Sequence, residues 1–145
     1  MPIIGFNFEK VSAQKTGKVL GNVNISHTIN ITNVKKEEIT LEKKQDVLKF
    51  EFEFKVDYAP KMGNISLEGS VIYLDDLKNL QEIEDSWKKN KKLSPEITAI
   101  IINTVLVKSN IKALILSQDV NLPPQIQLPK TAPAKSNVKA EEYIG

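Results

Sequence analysis

The feature that most constrains the fold is a strict alternation of apolar and charged residues in the middle of the chain. Between residues 48 and 58 every second residue is a large apolar one, and the residues between them are Lys, Glu or Asp. A period of two puts the two sets on opposite faces of a β-strand, so one face is buried and the other meets water or a polar partner. The apolar set is Leu48, Phe50, Phe52, Phe54, Val56 and Tyr58.

A second strand is expected to return beside the first. Residues 59–64 contain Pro60 and Gly63, which are typical of a turn. Apolar residues then alternate again from residue 65 to residue 73, so the two segments should form a hairpin. Gly69 falls at an inward position of the returning strand, where a neighbouring chain could come close.

The first third of the chain also has strand character. Val23, Ile25, Ile29 and Ile31 alternate with polar residues, as in a strand with one buried face. Nearer the N-terminus the apolar phase shifts by one residue after Phe8, which indicates a bulge or a strand end. The charged residues 35–38 predict a turn.

Two helices follow the strands. Asp75 or Asp76 can cap the first, which ends in a cluster of lysines. Ser94 and Pro95 suit the N-cap and first position of a second helix that runs to about residue 116 or 117. This helix is apolar on more than one face, and polar residues interrupt it too often for a membrane span. We expect one side to pack on the sheet and the other to meet a second subunit or a partner.

Prolines end the helical region. Residues 121–130 should form an extended strap, which Leu122, Ile126 and Leu128 could pin to a surface.

The order of elements predicts an α+β fold: a four-stranded antiparallel sheet in the N-terminal half, two helices packed on one face, and the Pro-containing C-terminal strap. Residues 1–130 should form one domain, and residues 131–145 a polar, flexible tail.

Composition narrows the class of function. The chain has 145 residues, enough for a core, and no cysteine, which removes disulfides and thiolate chemistry and favours a cytoplasmic location. All 20 basic residues are lysine, and the missing arginine argues against sequence-specific reading of nucleic acid. The many Lys, Ile and Glu residues fit a thermophilic source.

No set of residues predicts catalysis. The single histidine, His27, could act as a base or a pH sensor, but a structural place at a sheet edge or a subunit contact is favoured. The carboxylates follow no metal-loop template, and no glycine-rich phosphate loop follows a strand. We therefore expect a protein that is not an enzyme, with no cofactor and no metal site.

Two candidate contact surfaces remain. An apolar partner-binding surface would use aromatic strand residues, the helices and the strap: Phe50, Phe52, Phe54, Trp87, Ile101, Val105, Leu122, Pro123 and Pro124. A contact with an anion or RNA would use lysines at the end of the first helix and in the tail: Lys88, Lys89, Lys91, Lys92, Lys130, Lys135 and Lys139.

The layout resembles that of the SecB-like export chaperones, and more closely a family of small uncharacterised archaeal proteins that look SecB-like. The hairpin from Leu48–Phe52 to Ile65–Gly69, the helix start at Leu93–Ile97 and the segment Asn121–Pro124 carry the resemblance over roughly residues 3–130. It implies an oligomeric holdase that holds unfolded chains in apolar grooves without ATP or cofactor. This chain departs from the family in being basic and in lacking Cys or His in its tail.

Two function classes therefore compete. The first is a SecB-like holdase or protein-interaction module, with protein clients and a homo-oligomeric state. The second is a ribosome-associated structural or accessory protein that docks on rRNA or ribosomal proteins through its lysine clusters and tail.

Overall fold

The chain forms an α+β fold of four strands followed by two helices, as predicted. The computed structural model describes residues 3–18, 21–129 and Thr131. The elements are β1 (Ile3–Lys15), β2 (Asn24–Thr40), β3 (Lys44–Ala59), β4 (Gly63–Tyr73), α1 (Leu77–Asn90) and α2 (Pro95–Asp119). The tail that the sequence predicts after residue 130, with Lys130, Lys135 and Lys139, lies outside the described residues except for Thr131.

The strands form one antiparallel sheet in the order β1-β4-β3-β2. Strands β2, β3 and β4 follow one another by hairpins, and β1 lies beside β4, so the topology is a Greek key. β1 and β2 occupy opposite edges, and their connection starts at the β3–β4 turn. There the Thr16 amide donates to the Met62 carbonyl at 2.9 Å, and the Thr16 hydroxyl donates to the Lys61 carbonyl at 2.8 Å.

The central hairpin confirms the predicted alternation. All six apolar residues of β3 from Leu48 to Tyr58 are buried, while the charged residues between them are half-buried or exposed. Gly69 of β4 opposes Phe8 of β1 and Phe52 of β3. A Cβ at Gly69 would collide with the Asn7 carbonyl oxygen, so this position requires glycine for the close approach of β1.

The edge strands differ from their predicted extent. In β1 the register with β4 shifts between Phe8 and Lys10, which confirms the bulge. The predicted turn at residues 35–38 is wrong, because β2 continues through them to Thr40. Their charges pair across the sheet surface, with Lys35 Nζ 3.6 Å from a Glu51 oxygen. A second register shift, between Ile31 and Asn33, restores the inward phase at buried Val34.

Both helices pack on one face of the sheet. α1 and the first half of α2 cover a core cluster around Phe50, Phe52 and Tyr73, and the second half of α2 covers a cluster around Phe54, Tyr58 and Ile65. The N-cap of α2 is Ser94, whose hydroxyl accepts from the Ile97 amide at 3.3 Å. Five residues of α2 at intervals of four face the sheet: Ile101, Val105, Ser109, Ala113 and Ser117.

Apart from Leu122, the strap after α2 is anchored by other residues than those predicted. Leu122 is buried beside Gly63, and buried Gln125 donates from Nε2 to the Asn110 carbonyl of α2 at 2.7 Å. Ile126 and Leu128 were expected to be anchors, but both are exposed. The polar contact of Gln125 with the helix takes the place of the expected apolar ones.

Candidate functional site

An exposed apolar surface lies on the outer side of α2. Val107, Ile111 and Ile115 lie four residues apart, and they are 60%, 58% and 49% exposed. Each lies two positions after a buried residue of the same helix, which is about 200° around the helix axis. These three side chains, the outer row of α2, therefore point away from the sheet and cover no part of the described core.

An exposed apolar row of this kind is costly in a monomer. Removing apolar surface from water contributes about 25 cal/mol per Å², and contiguous exposed patches mark interaction sites more often than chance. The other exposed large apolar residues of the described part of the chain lie outside α2, for example Leu41 and Leu77. The outer row is consequently the strongest candidate for a contact with another polypeptide.

The structure places the predicted apolar contact residues inside the core. Seven of them are buried: Phe50, Phe52, Phe54, Trp87, Ile101, Val105 and Leu122. A partner cannot reach these side chains while the sheet and helices are packed as described. The sequence analysis expected the side of α2 away from the sheet to meet a partner, but the two α2 residues named for that contact, Ile101 and Val105, face the sheet.

The two remaining predicted apolar residues lie in a groove. Pro123 is half-buried and Pro124 exposed, and with Ile25 of β2 and the exposed Ile126 and Leu128 they line a groove of about 360 Å³. Tyr58 fixes one side of it, because its hydroxyl donates to the Pro123 carbonyl at 2.7 Å. The groove is open and mostly apolar, so it is a second exposed apolar surface, formed by β2 and the strap.

The lysine cluster at the end of α1 is partly engaged within the chain. Lys88 Nζ lies 3.7 Å from a Glu84 carboxylate oxygen. Lys91 Nζ lies 5.3 Å from the centre of the Trp87 ring, which is the range of a cation–π contact. Lys89 and Lys92 are exposed, and a phosphate could approach them.

His27 lies at the edge of the sheet. It is exposed on edge strand β2, and its ring lies 6.2 Å from that of Phe54. Within the described residues no three His, Asp or Glu side chains come together in a way that could hold a metal ion. The structural reading of His27, at a sheet edge, agrees with this position.

Among the described residues, three titratable groups have shifted pKa values. Burial raises the pKa of Tyr58 to about 12, and burial with the nearby Asp75 carboxylate raises the pKa of Tyr73 to about 12. Hydrogen bonds from the Asp76 amide and the Asn79 side chain lower the pKa of Asp75. These bonds hold the β4–α1 connection. Burial of the tyrosines and the bonds to Asp75 explain the three pKa shifts without a reaction site.

The role of Glu84 was not predicted from the sequence. This carboxylate is buried on α1 and accepts from the backbone amide of Lys36 in β2 at 3.1 Å. Its helical position beside Leu80 and Trp87 signalled that it faces inward, but nothing in the sequence indicated the strand amide that it binds.

Comparisons with known proteins add no relative. No protein-family model, no curated protein and no solved structure matches this chain. By length and composition α2 could also cross a membrane, but a single helix of this kind is weak evidence for a membrane span. Its sheet-facing residues are part of the core.

Proposed function

We propose that this chain is a non-catalytic binding protein that holds apolar segments of other polypeptides, a holdase or protein-interaction module of SecB-like type. The observation that carries the proposal is the outer row of α2, where Val107, Ile111 and Ile115 are about half exposed or more. The three side chains of the row are aliphatic, so they offer apolar contact and no reacting group.

The position of the row supports a binding role. α2 is held by buried residues on its sheet side and by the Gln125 bond to the Asn110 carbonyl, so its outer side is presented on a fixed element. Because the row is held rigid, it can bind an extended or helical apolar segment while losing little conformational entropy of its own. The groove beside the strap provides a second apolar contact.

Association with the ribosome is the alternative function. It is supported by exposed Lys89 and Lys92 and by the basic character of the chain, with a pI of about 8.7. Lysines attract phosphates without reading sequence, so such binding would weaken as salt rises.

The first prediction tests the outer row directly. The variant V107Q/I111Q replaces two apolar side chains with neutral helix-forming ones. We expect it to lose at least about tenfold in affinity for a chemically denatured client, because each fully buried aliphatic side chain contributes about 1.5–3 kcal/mol. The measurement is light scattering of the aggregating client as a function of added protein.

The matched control is L41Q/L77Q, which makes the same change at two residues with 58% and 63% exposure outside α2. This control should protect the client as well as the unmodified chain does. Equal protection by V107Q/I111Q and the unmodified chain would contradict the proposal. If the unmodified chain protects no client but sediments with ribosomal particles in a low-salt lysate and leaves them as salt rises, the ribosome-associated function takes its place.

A further inference from the structure

The charged residues of α2 are few and unevenly placed. Residues 97–118 include only two of them, Lys108 and Lys112, and no acidic residue. The acidic residues of the helix, Glu96 and Asp119, lie at its two ends. The middle of α2 therefore has two positive charges and no negative one.

Both lysines lie on the same side of the outer row. Lys108 follows Val107 and Lys112 follows Ile111, so each lysine is turned about 100° around the helix axis from its apolar neighbour, in the same direction. Lys108 is exposed and Lys112 is half-buried. The outer row thus has a positively charged border along one side.

The opposite border of the outer row is uncharged. Leu106, Asn110 and Leu114 each lie one position before a residue of the row, and all three are half-buried. Leu106 packs against the second core cluster, and the Gln125 side chain of the strap donates to the Asn110 carbonyl. Because charge borders the row on one side only, a bound segment would meet two chemically different sides.

Apolar and charged groups meet in a shallow hollow at the start of the row. Asn103, Thr104, Val107 and Lys108 line this hollow, which has a volume of about 330 Å³. Among the described residues, neither Lys108 nor Lys112 forms an ion pair with a carboxylate of this chain. A segment bound here would contact the Val107 side chain and lie beside an ammonium group that has no acidic partner within the described fold.

We propose that the outer row of α2 prefers segments of other polypeptides whose apolar residues are bordered by glutamate or aspartate, and that Lys108 and Lys112 set this preference. An acidic residue beside the bound apolar side chains would pair with a lysine, whereas a basic residue would face a like charge. The inference rests on the proposed binding function, because it names the class of segment that the same surface takes.

Three labelled amphipathic peptides test the preference. They share leucines at every fourth position, and the residue after each leucine is glutamate in the first peptide, glutamine in the second and lysine in the third. Because exposed ion pairs contribute little each, we expect the natural chain at low salt to bind the glutamate peptide about three- to tenfold more tightly than the glutamine peptide. The lysine peptide should bind most weakly, and added salt should reduce the differences. Fluorescence anisotropy measures the three affinities.

Two variants assign the preference to particular lysines. K108Q/K112Q keeps helix-forming side chains, so it should bind the glutamine peptide as the natural chain does, and the glutamate peptide no more tightly than that. The matched control, K10Q/K43Q, removes the same charge at exposed lysines of β1 and of the β2–β3 connection. This control should keep the full preference for the glutamate peptide.

The outcomes separate this inference from the proposed function. Equal affinity for the three peptides, with all of them bound more weakly by V107Q/I111Q, would overturn the preference and leave the binding function in place. A preference that K108Q/K112Q retains would also overturn the proposal, and failure of every peptide to bind would contradict both. Binding to phosphatidylserine vesicles without a preference for the glutamate peptide would overturn it in favour of a membrane surface.

Discussion

At the scale of single residues, Tyr58 connects the core to the strap. Its ring is buried, and its hydroxyl donates to the Pro123 carbonyl at 2.7 Å. Burial disfavours the phenolate, so the pKa of Tyr58 is about 12 in the folded chain and near 10 in the unfolded chain. Stability from this group is therefore fully present below pH 10 and is lost as the pH rises toward 12.

We predict that Tyr58→Phe lowers the free energy of unfolding by roughly 1 kcal/mol at pH 7, where it leaves the Pro123 carbonyl without its donor. The difference in free energy of unfolding between the natural chain and the variant should shrink between pH 10 and pH 12, because only the natural chain loses the contribution of Tyr58. Urea denaturation at several pH values measures both effects. A difference that stays constant through this range would contradict the assigned pKa.

The residue scale also shows where sequence reasoning stops. Alternation identified every buried apolar side chain of β3, because burial on one face of a strand follows a period of two. In α2 apolar residues occupy all sides, so the sequence contains no signal that separates Ile101, which faces the sheet, from Ile111, which does not. The sheet that makes this distinction is formed by residues distant in sequence.

At the scale of elements, α1 acts as a clamp on the β2 edge. Glu84 reaches from the helix to the Lys36 amide, and Lys36 Nζ in turn lies 3.4 Å from the Gln81 side-chain oxygen. The clamp explains why β2 passes through residues 35–38, which composition alone assigned to a turn. Charged residues favour turns on average, but here partners on β3 and α1 hold them in a strand.

We predict that Glu84→Leu costs about 1–3 kcal/mol of stability, because the Lys36 amide loses its acceptor in a buried place. Glu84→Gln keeps an oxygen acceptor and should cost less than Glu84→Leu. Glu82→Leu, an exposed change on the same helix, should stay within about 0.5 kcal/mol of the natural chain. Denaturation curves of the three variants provide the measurement, and equal stability of Glu84→Leu and Glu82→Leu would argue against the clamp.

At the scale of the whole molecule, the two core clusters share their elements. α2, β3 and β4 each contribute buried residues to both clusters, and Phe8 packs against both. Neither cluster can lose its packing without displacing an element of the other. The chain should therefore unfold as one unit, as small domains usually do.

We predict that Trp87 fluorescence, which reports on the first cluster, and far-ultraviolet circular dichroism give the same unfolding midpoint. Ile65→Val, in the second cluster, should shift both midpoints equally, at a cost of about 0.5–1.5 kcal/mol. A Trp87 transition that stays in place while the dichroism transition moves would show that the clusters unfold separately.

The position of β1 has a consequence for the order in which a growing chain can fold. β1 pairs along its length with β4 alone. Ile3 therefore cannot pair with its β4 partner until Tyr73 has been synthesised, and Lys15 cannot do so until Gly63 has been synthesised. The hairpins of β2, β3 and β4 join segments that leave the ribosome one after the other and can close as they appear. The strand that is synthesised first is thus the last to enter the sheet, and Phe6 and Phe8 stay without their β4 neighbours until then.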